Sequence, residues 1–115
     1  MKQPDDRRRV QHMLDYATEA LDMVRGRERG DLEPDRQLSL ALVRLLEIVG
    51  EAASRVTADF RTDHGQIPWA DIIGLRNRLI HGYDSVDHDI LWDILVGDLP
   101  LLVEQLLKLL PDLEE

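Results

Sequence analysis

Apolar residues in this 115-residue chain recur at helical spacing from end to end, and no stretch alternates as a half-buried strand would. That pattern restricts the fold to amphipathic helices packed on one another. A first helix follows Pro4-Asp5-Asp6, with Val10, Met13, Leu14, Ala17, Leu21 and Val24 on one face, and Gly26 and Gly30 frame the loop that ends it. Asp31 to Asp35 then carries start signals, Pro34 among them.

The second helix is expected to be long. Leu38, Leu42, Leu45, Leu46, Val49, Ala53, Val56 and Phe60 keep one stripe for about six turns before Asp63-His64-Gly65. Gly50, Ala52 and Ala53 thin its middle, so another helix can approach closely. Ile67-Pro68-Trp69 opens a third helix bearing Ile72, Ile73, Leu75, Leu79 and Ile80, with Gly82 placed to end it. A fourth starts near Ser85 or Asp87, whose side chains can cap free N–H groups, and buries Ile90, Leu91, Ile94 and Leu95. Gly97-Asp98-Leu99-Pro100 is expected to kink or break it, because proline lacks a donor and clashes with the preceding turn. Leu101 to Leu110 is apolar on more than one face, more than a small bundle covers, which suits a dimer interface or a partner. The reading is an all-α single domain, residues 1–115, in four or five helices.

Composition narrows the function. With no Cys there is neither a disulfide framework nor a thiolate metal site. No run of about 18 apolar residues could span a membrane, and Met1 to Arg9 holds no signal-peptide core, so a cytoplasmic protein is expected. A net charge of −9 argues against a general nucleic-acid coat. It leaves room for a site built from a few arginines. Arg7, Arg8 and Arg9, and Arg25, Arg27 and Arg29, are read as offsetting neighbouring carboxylates, which leaves Arg76 and Arg78 as the cluster of interest.

Those two belong to Arg76-Asn77-Arg78-Leu79-Ile80-His81-Gly82-Tyr83. Arginine presents a rigid fork of donors that fits a phosphate and stays charged. Histidine titrates near neutrality and suits proton transfer. On a continuous helix Asn77 and His81 would share a face, while Arg76 and His81 would stand about 140° apart. Both reach one phosphate if the helix end is distorted near Gly82, if the arginine wraps round, or if two subunits share the site. A plain structural alternative has His81 bonding the last helix carbonyls, Tyr83 as an ordinary contact residue and Arg78 solvated or partner-facing.

The order of the pieces resembles the HepT-like ribonuclease toxins of the HEPN superfamily. Leu45 to Ala53, Ile67-Pro68-Trp69, Ile73 to Tyr83 with its Arg-x4-His-x-Tyr spacing, Leu91-Trp92 and Asp98-Leu99-Pro100 all fit, over most of the chain. The resemblance implies an antiparallel helical bundle that dimerises and brings two motifs to one cleft. It implies the toxin of a type II toxin–antitoxin pair: a metal-independent endoribonuclease with no cofactor, neutralised by a minimal nucleotidyltransferase antitoxin of the MntA type. By the same resemblance Arg76 and His81 are catalytic, for phosphate stabilisation and proton transfer, and Asn77 is the supporting polar residue. Tyr83 is the tyrosine modified with AMP, adding bulk and negative charge.

Two other readings stand beside it. One is a non-catalytic nucleotide- or partner-binding module that keeps the dimer and the nucleotidyltransferase partner. The other is a metal site from His81, Asp84, Asp87, His88 and Asp89, against which Asp84, Ser85 and Asp87 are helix caps. Glu47 and Glu51 resemble half of a paired-carboxylate set; without a second pair, a salt bridge from Glu51 to a motif arginine is expected.

Overall fold

A computed structural model describes residues 4–113, so residues 1–3 and 114–115 of the expected single domain lie outside the described residues. The chain is an all-α bundle with one two-stranded hairpin inserted beside it. Helix α1 (Pro4–Val24) carries Asp5 and Asp6 in its first turn, where the helix dipole favours negative charge. It buries Val10, Met13, Leu14, Ala17, Ala20 and Val24, while Leu21 is half-buried. Helix α2 (Arg36–Ser54) starts at Asp35, whose side chain accepts the Leu38 N–H at 3.0 Å. Ser39, polar and buried, donates its hydroxyl to the Leu32 carbonyl and so satisfies its own burial.

The expected long second helix is two helices. Chain direction changes at Arg55–Thr57, and α3 (Ala58–Asp63) restarts with the Thr57 side chain accepting the Phe60 N–H. Asp6 explains the break. Its carboxylate, 2% exposed, accepts both the Thr57 backbone N–H at 2.9 Å and the Thr57 hydroxyl at 2.8 Å. A buried carboxylate needs such donors, and supplying them pins the start of α1 to the end of α2, which makes the two helices antiparallel. Val56 and Phe60 are still buried, so the apolar stripe runs on across the break.

The expected third helix is also divided. It comprises α4 (Trp69–Ile73), a break at Gly74 and α5 (Leu75–Leu79). After Leu79 the chain leaves the helix as β1 (Ile80–His81), turns, and returns as β2 (Ser85–Val86). Gly82, at φ 74°, serves the hairpin turn instead of ending a helix. The α4 segment lies hard against α2 because Gly50 has no side chain: a Cβ there would sit 2.9 Å from the Ile72 carbonyl oxygen. The thin middle of α2 is used for close approach at that point.

Helix α6 (His88–Asp93) starts at Asp87, not Ser85, and Asp87 accepts the Ile90 N–H at 3.0 Å. Leu91, Ile94 and Leu95 are buried as expected, Ile90 only partly. No break occurs at Gly97-Asp98-Leu99-Pro100. A wide π turn, Ile94–Asp98, joins α6 to α7 (Leu99–Leu113), and the Leu99 N–H reaches back to Ile94 O. The extra residue in that turn relieves the clash a proline ring makes with the carbonyl four residues before it. Helix α7 buries Leu99, Leu102, Leu106 and Leu109 against α1, but Val96, Leu101 and Leu107 are more than half exposed. Among the described residues no helix is long and apolar enough to cross a membrane.

Candidate active site

The motif is positioned by a peg and a pinch. Leu79, fully buried, fixes the end of α5 in the core. The Asp87 N–H then donates to Leu79 O at 2.8 Å and closes the hairpin at its base. Its register pairs Ile80 with Val86 and His81 with Ser85. Strand side chains alternate: Ile80 and Val86 pack against the core, and His81 and Ser85 are exposed. His81 therefore stands on a strand, and the helix-face argument for Asn77 and His81 does not apply. The helix does end before His81, as one of the three routes to a shared phosphate requires, but at Leu79, three residues earlier than Gly82.

The three basic side chains of the motif each meet an acid outside it. The Arg76 Nε–H donates to Glu47 Oε2 at 3.1 Å, linking α5 to α2. Glu51, expected to hold a motif arginine, instead pairs with Arg55 one turn on, at 3.1 Å. The reason is angular. Gly50 faces α4, and Glu47 lies about 60° round the helix from it, whereas Glu51 lies about 100° round on the same side, farther from the contact. His81 Nε2 is 3.5 Å from Asp87 Oδ2, and Arg78 pairs with Asp98 at 3.5 Å. The Ile90 N–H, with His81 adding to it, holds the Asp87 carboxyl below the usual carboxylate range. An ionised carboxylate thus faces the imidazole at neutral pH. Tyr83, at the hairpin tip, is 94% exposed.

Arg76 and Asn77 line a groove of about 190 Å³ together with Glu47, Gly50, Glu51 and Ile73. The guanidinium is 63% exposed and the imidazole 62%. Both are open to solvent; Arg76 and Asn77 share the groove, and His81 is not among the residues that line it. A larger groove, about 390 Å³, runs between α4–α5 and α7 and is lined by Pro68, Ile72, Leu75, Ile94, Leu99 and Leu102 among others. Arg78 is its one motif residue; Asp71 and Asp98 also line it, and Asp98 is the carboxylate that pairs with Arg78.

The metal reading finds no geometry. Among the described residues no three His, Asp or Glu side chains converge as a metal site. Of that set, Asp87 caps α6 and faces His81, and Asp89 pairs with Arg29 at 2.7 Å. The basic loop cluster is offset by acids, as expected: Arg25 with Asp22, Arg27 with Asp35, and Arg29 with Glu33 and Asp89.

The family model described as "Ribonuclease HepT-like" matches residues 13–109. Among individual proteins, the chain is 36% identical over 101 residues to "Putative RNase TTE0752" of Caldanaerobacter subterraneus, covering 88% of this chain and 90% of the other. It is 31% identical over 93 residues to "Putative RNase MJ1380" of Methanocaldococcus jannaschii, covering 81% and 85%. To "Probable ribonuclease HepT" of Thermococcus cleftensis it is 39% identical over 75 residues, covering 65% and 68%. No solved structure matches the chain.

Proposed function

The chain belongs to the HepT-like ribonuclease family, and on that premise we propose that it is a toxin of a type II toxin–antitoxin pair that cleaves RNA without a metal. The observation that carries the reading is the hairpin after α5. It sets His81 in the open just beyond the helix that bears Arg76, so a base and a fixed cation are offered to one strand of RNA.

In the proposed reaction His81 accepts the proton of a ribose 2′-OH. The 2′ oxygen attacks the adjacent phosphorus, the bond to the 5′ oxygen breaks, and a proton is returned to that oxygen. The products are a 2′,3′-cyclic phosphate and a 5′-hydroxyl. Proton transfer by a placed histidine contributes typically about 10²- to 10⁴-fold. The Arg76 Nη donors stabilise the charge that develops on the phosphoryl oxygens. In a homodimer the second subunit's His81 is the proposed acid. Asn77, beside Arg76 in the groove, holds a phosphate or ribose oxygen.

Regulation follows from Tyr83. A minimal nucleotidyltransferase antitoxin transfers AMP from ATP to its hydroxyl, which loses its proton as pyrophosphate leaves, and the added phosphate brings negative charge to the motif. Full exposure of Tyr83 supports this part of the reading. The test is RNA cleavage in excess EDTA by the protein and its His81→Ala variant, with the intact mass of each. Cleavage by the wild type alone supports the reading. A silent protein carrying the mass of AMP is a toxin already neutralised. An unmodified protein that cleaves nothing is instead a nucleotide- or partner-binding module.

A further inference from the structure

We propose that Glu47, which lies outside the motif, is the positioning residue that aims Arg76 at the phosphate; this rests on the ribonuclease reading above. A guanidinium on a side chain with four rotatable bonds, 63% exposed, has many orientations open to it. Only one of them offers its end-on fork to a phosphoryl group. Glu47 selects it. The carboxylate is the less exposed partner, at 25%, and is carried on the rigid middle of α2. It takes the Nε–H, the donor nearest the arginine backbone. The two Nη groups at the far end are left for the substrate, in the fork geometry that matches two phosphoryl oxygens.

The distance between the two elements is fixed independently. One turn along α2 from Glu47, the missing side chain of Gly50 lets α4 close until a Cβ would lie 2.9 Å from Ile72 O. The same groove is lined by Glu47, Gly50, Arg76 and Asn77. Gly50 therefore sets the gap that the Glu47 side chain spans. The interaction of the Glu47 carboxylate with a substrate phosphate is by itself repulsive, so the role is to orient a cation and not to bind RNA. A Glu47 that served as a proton acceptor in the reaction would need its charge; a Glu47 that positions needs only an acceptor oxygen where Nε–H can reach it.

That difference is the test. Steady-state cleavage of an RNA oligonucleotide is measured for the wild type, Glu47→Ala, Glu47→Gln and Arg76→Lys, with the Arg76 Nε–H resonance followed by ¹⁵N NMR after assignment by its loss in Arg76→Lys. Glu47→Ala is expected to lower kcat by about 10²-fold, the order seen for a 1 Å misplacement, with a smaller change in KM and an unchanged melting temperature. Glu47→Gln keeps an acceptor oxygen and is expected to lose no more than about tenfold. Wild-type rates in Glu47→Ala, or equal losses in the Gln and Ala variants, overturn the proposal. If the wild type, shown by its mass to be unmodified, cleaves no RNA, the ribonuclease reading fails and the resonance alone decides whether Glu47 orients Arg76. An Nε–H signal slow to exchange in the wild type and Glu47→Gln but not in Glu47→Ala upholds it, and an identical signal in all three overturns it.

Discussion

The α1–α2–α7 core and the Gly74–Asp87 segment are built on opposite terms. In the core, Met13, Ala17, Leu42, Leu46, Val49 and Leu106 are buried to the last few per cent. Their positions follow from a repeating pattern, so any one contact is one among many. In the segment from Gly74 to Asp87, one short helix and a two-residue ladder present exposed side chains, with one contact for each: Glu47 for Arg76, Asp87 for His81, the Leu79 carbonyl for the hairpin base. Bulk burial holds the first region, and discrete polar contacts aim the second. Stability and activity should therefore separate cleanly under mutation.

The sharpest separation is expected from His81→Ala. It removes an exposed side chain and should lower RNA cleavage by about 10²- to 10⁴-fold, with a melting temperature within error of wild type. A lowered melting temperature would place His81 in the core's economy instead. Leu46→Ala is the converse: about 2–5 kcal/mol of stability lost in urea unfolding, and residual activity in proportion to the folded fraction. Gly50→Ala bridges the two regions, because its new methyl meets the Ile72 backbone carbonyl. Overpacking of this kind costs about 1–3 kcal/mol, and cleavage should fall beyond the folded fraction as α5 moves from Glu47.

Gly82→Ala adds no contact, since nothing lies within 4 Å of its Cβ, and only the positive φ of 74° opposes it. A loss of about 1 kcal/mol is expected, read by chemical denaturation, with Gly82→Asn losing less. The smallest effect is on pH. The Asp87 pKa is lowered in the folded state, so its stabilisation is fully present above the unfolded value of about 3.9 and is lost as pH falls through the folded value. Urea midpoints at pH 7 and at pH 2.5 should differ less in Asp87→Asn than in the wild type. An equal difference would mean that the Ile90 N–H bond does not favour the charged form.

Periodicity made the core legible, including residues such as Val56 and Phe60 that lie beyond the end of α2. It was blind to the break itself, because α3 resumes the same stripe after Thr57. The cap that causes the break depends on Asp6, a residue distant in the chain. The candidate site was read from residue types and spacing, with Arg76, Asn77, His81 and Tyr83 in one stretch of the sequence. Its geometry was not. A helix was expected through Ile80, where that β-branched residue, the aromatic Tyr83 and the turn glycine Gly82 instead favour a hairpin. Glu47 was passed over for Glu51 although a signal existed: whichever carboxylate lies closer in angle to the glycine at the helix contact is the one that faces the motif.

The base of the hairpin has a consequence for how the tip behaves. The loop from Ile80 to Val86 is fastened to the bundle by the Leu79–Asp87 hydrogen bond, a two-residue ladder and two half-buried aliphatic side chains. It is thus a flap on a hinge of its own, with an opening free energy far below that of the whole domain. Amides from His81 to Ser85 should exchange with solvent on a fast clock while Leu79 keeps the slow clock of the core. Such a flap can swing out and close again, carrying its already exposed tyrosine with it, while every helix stays where it is.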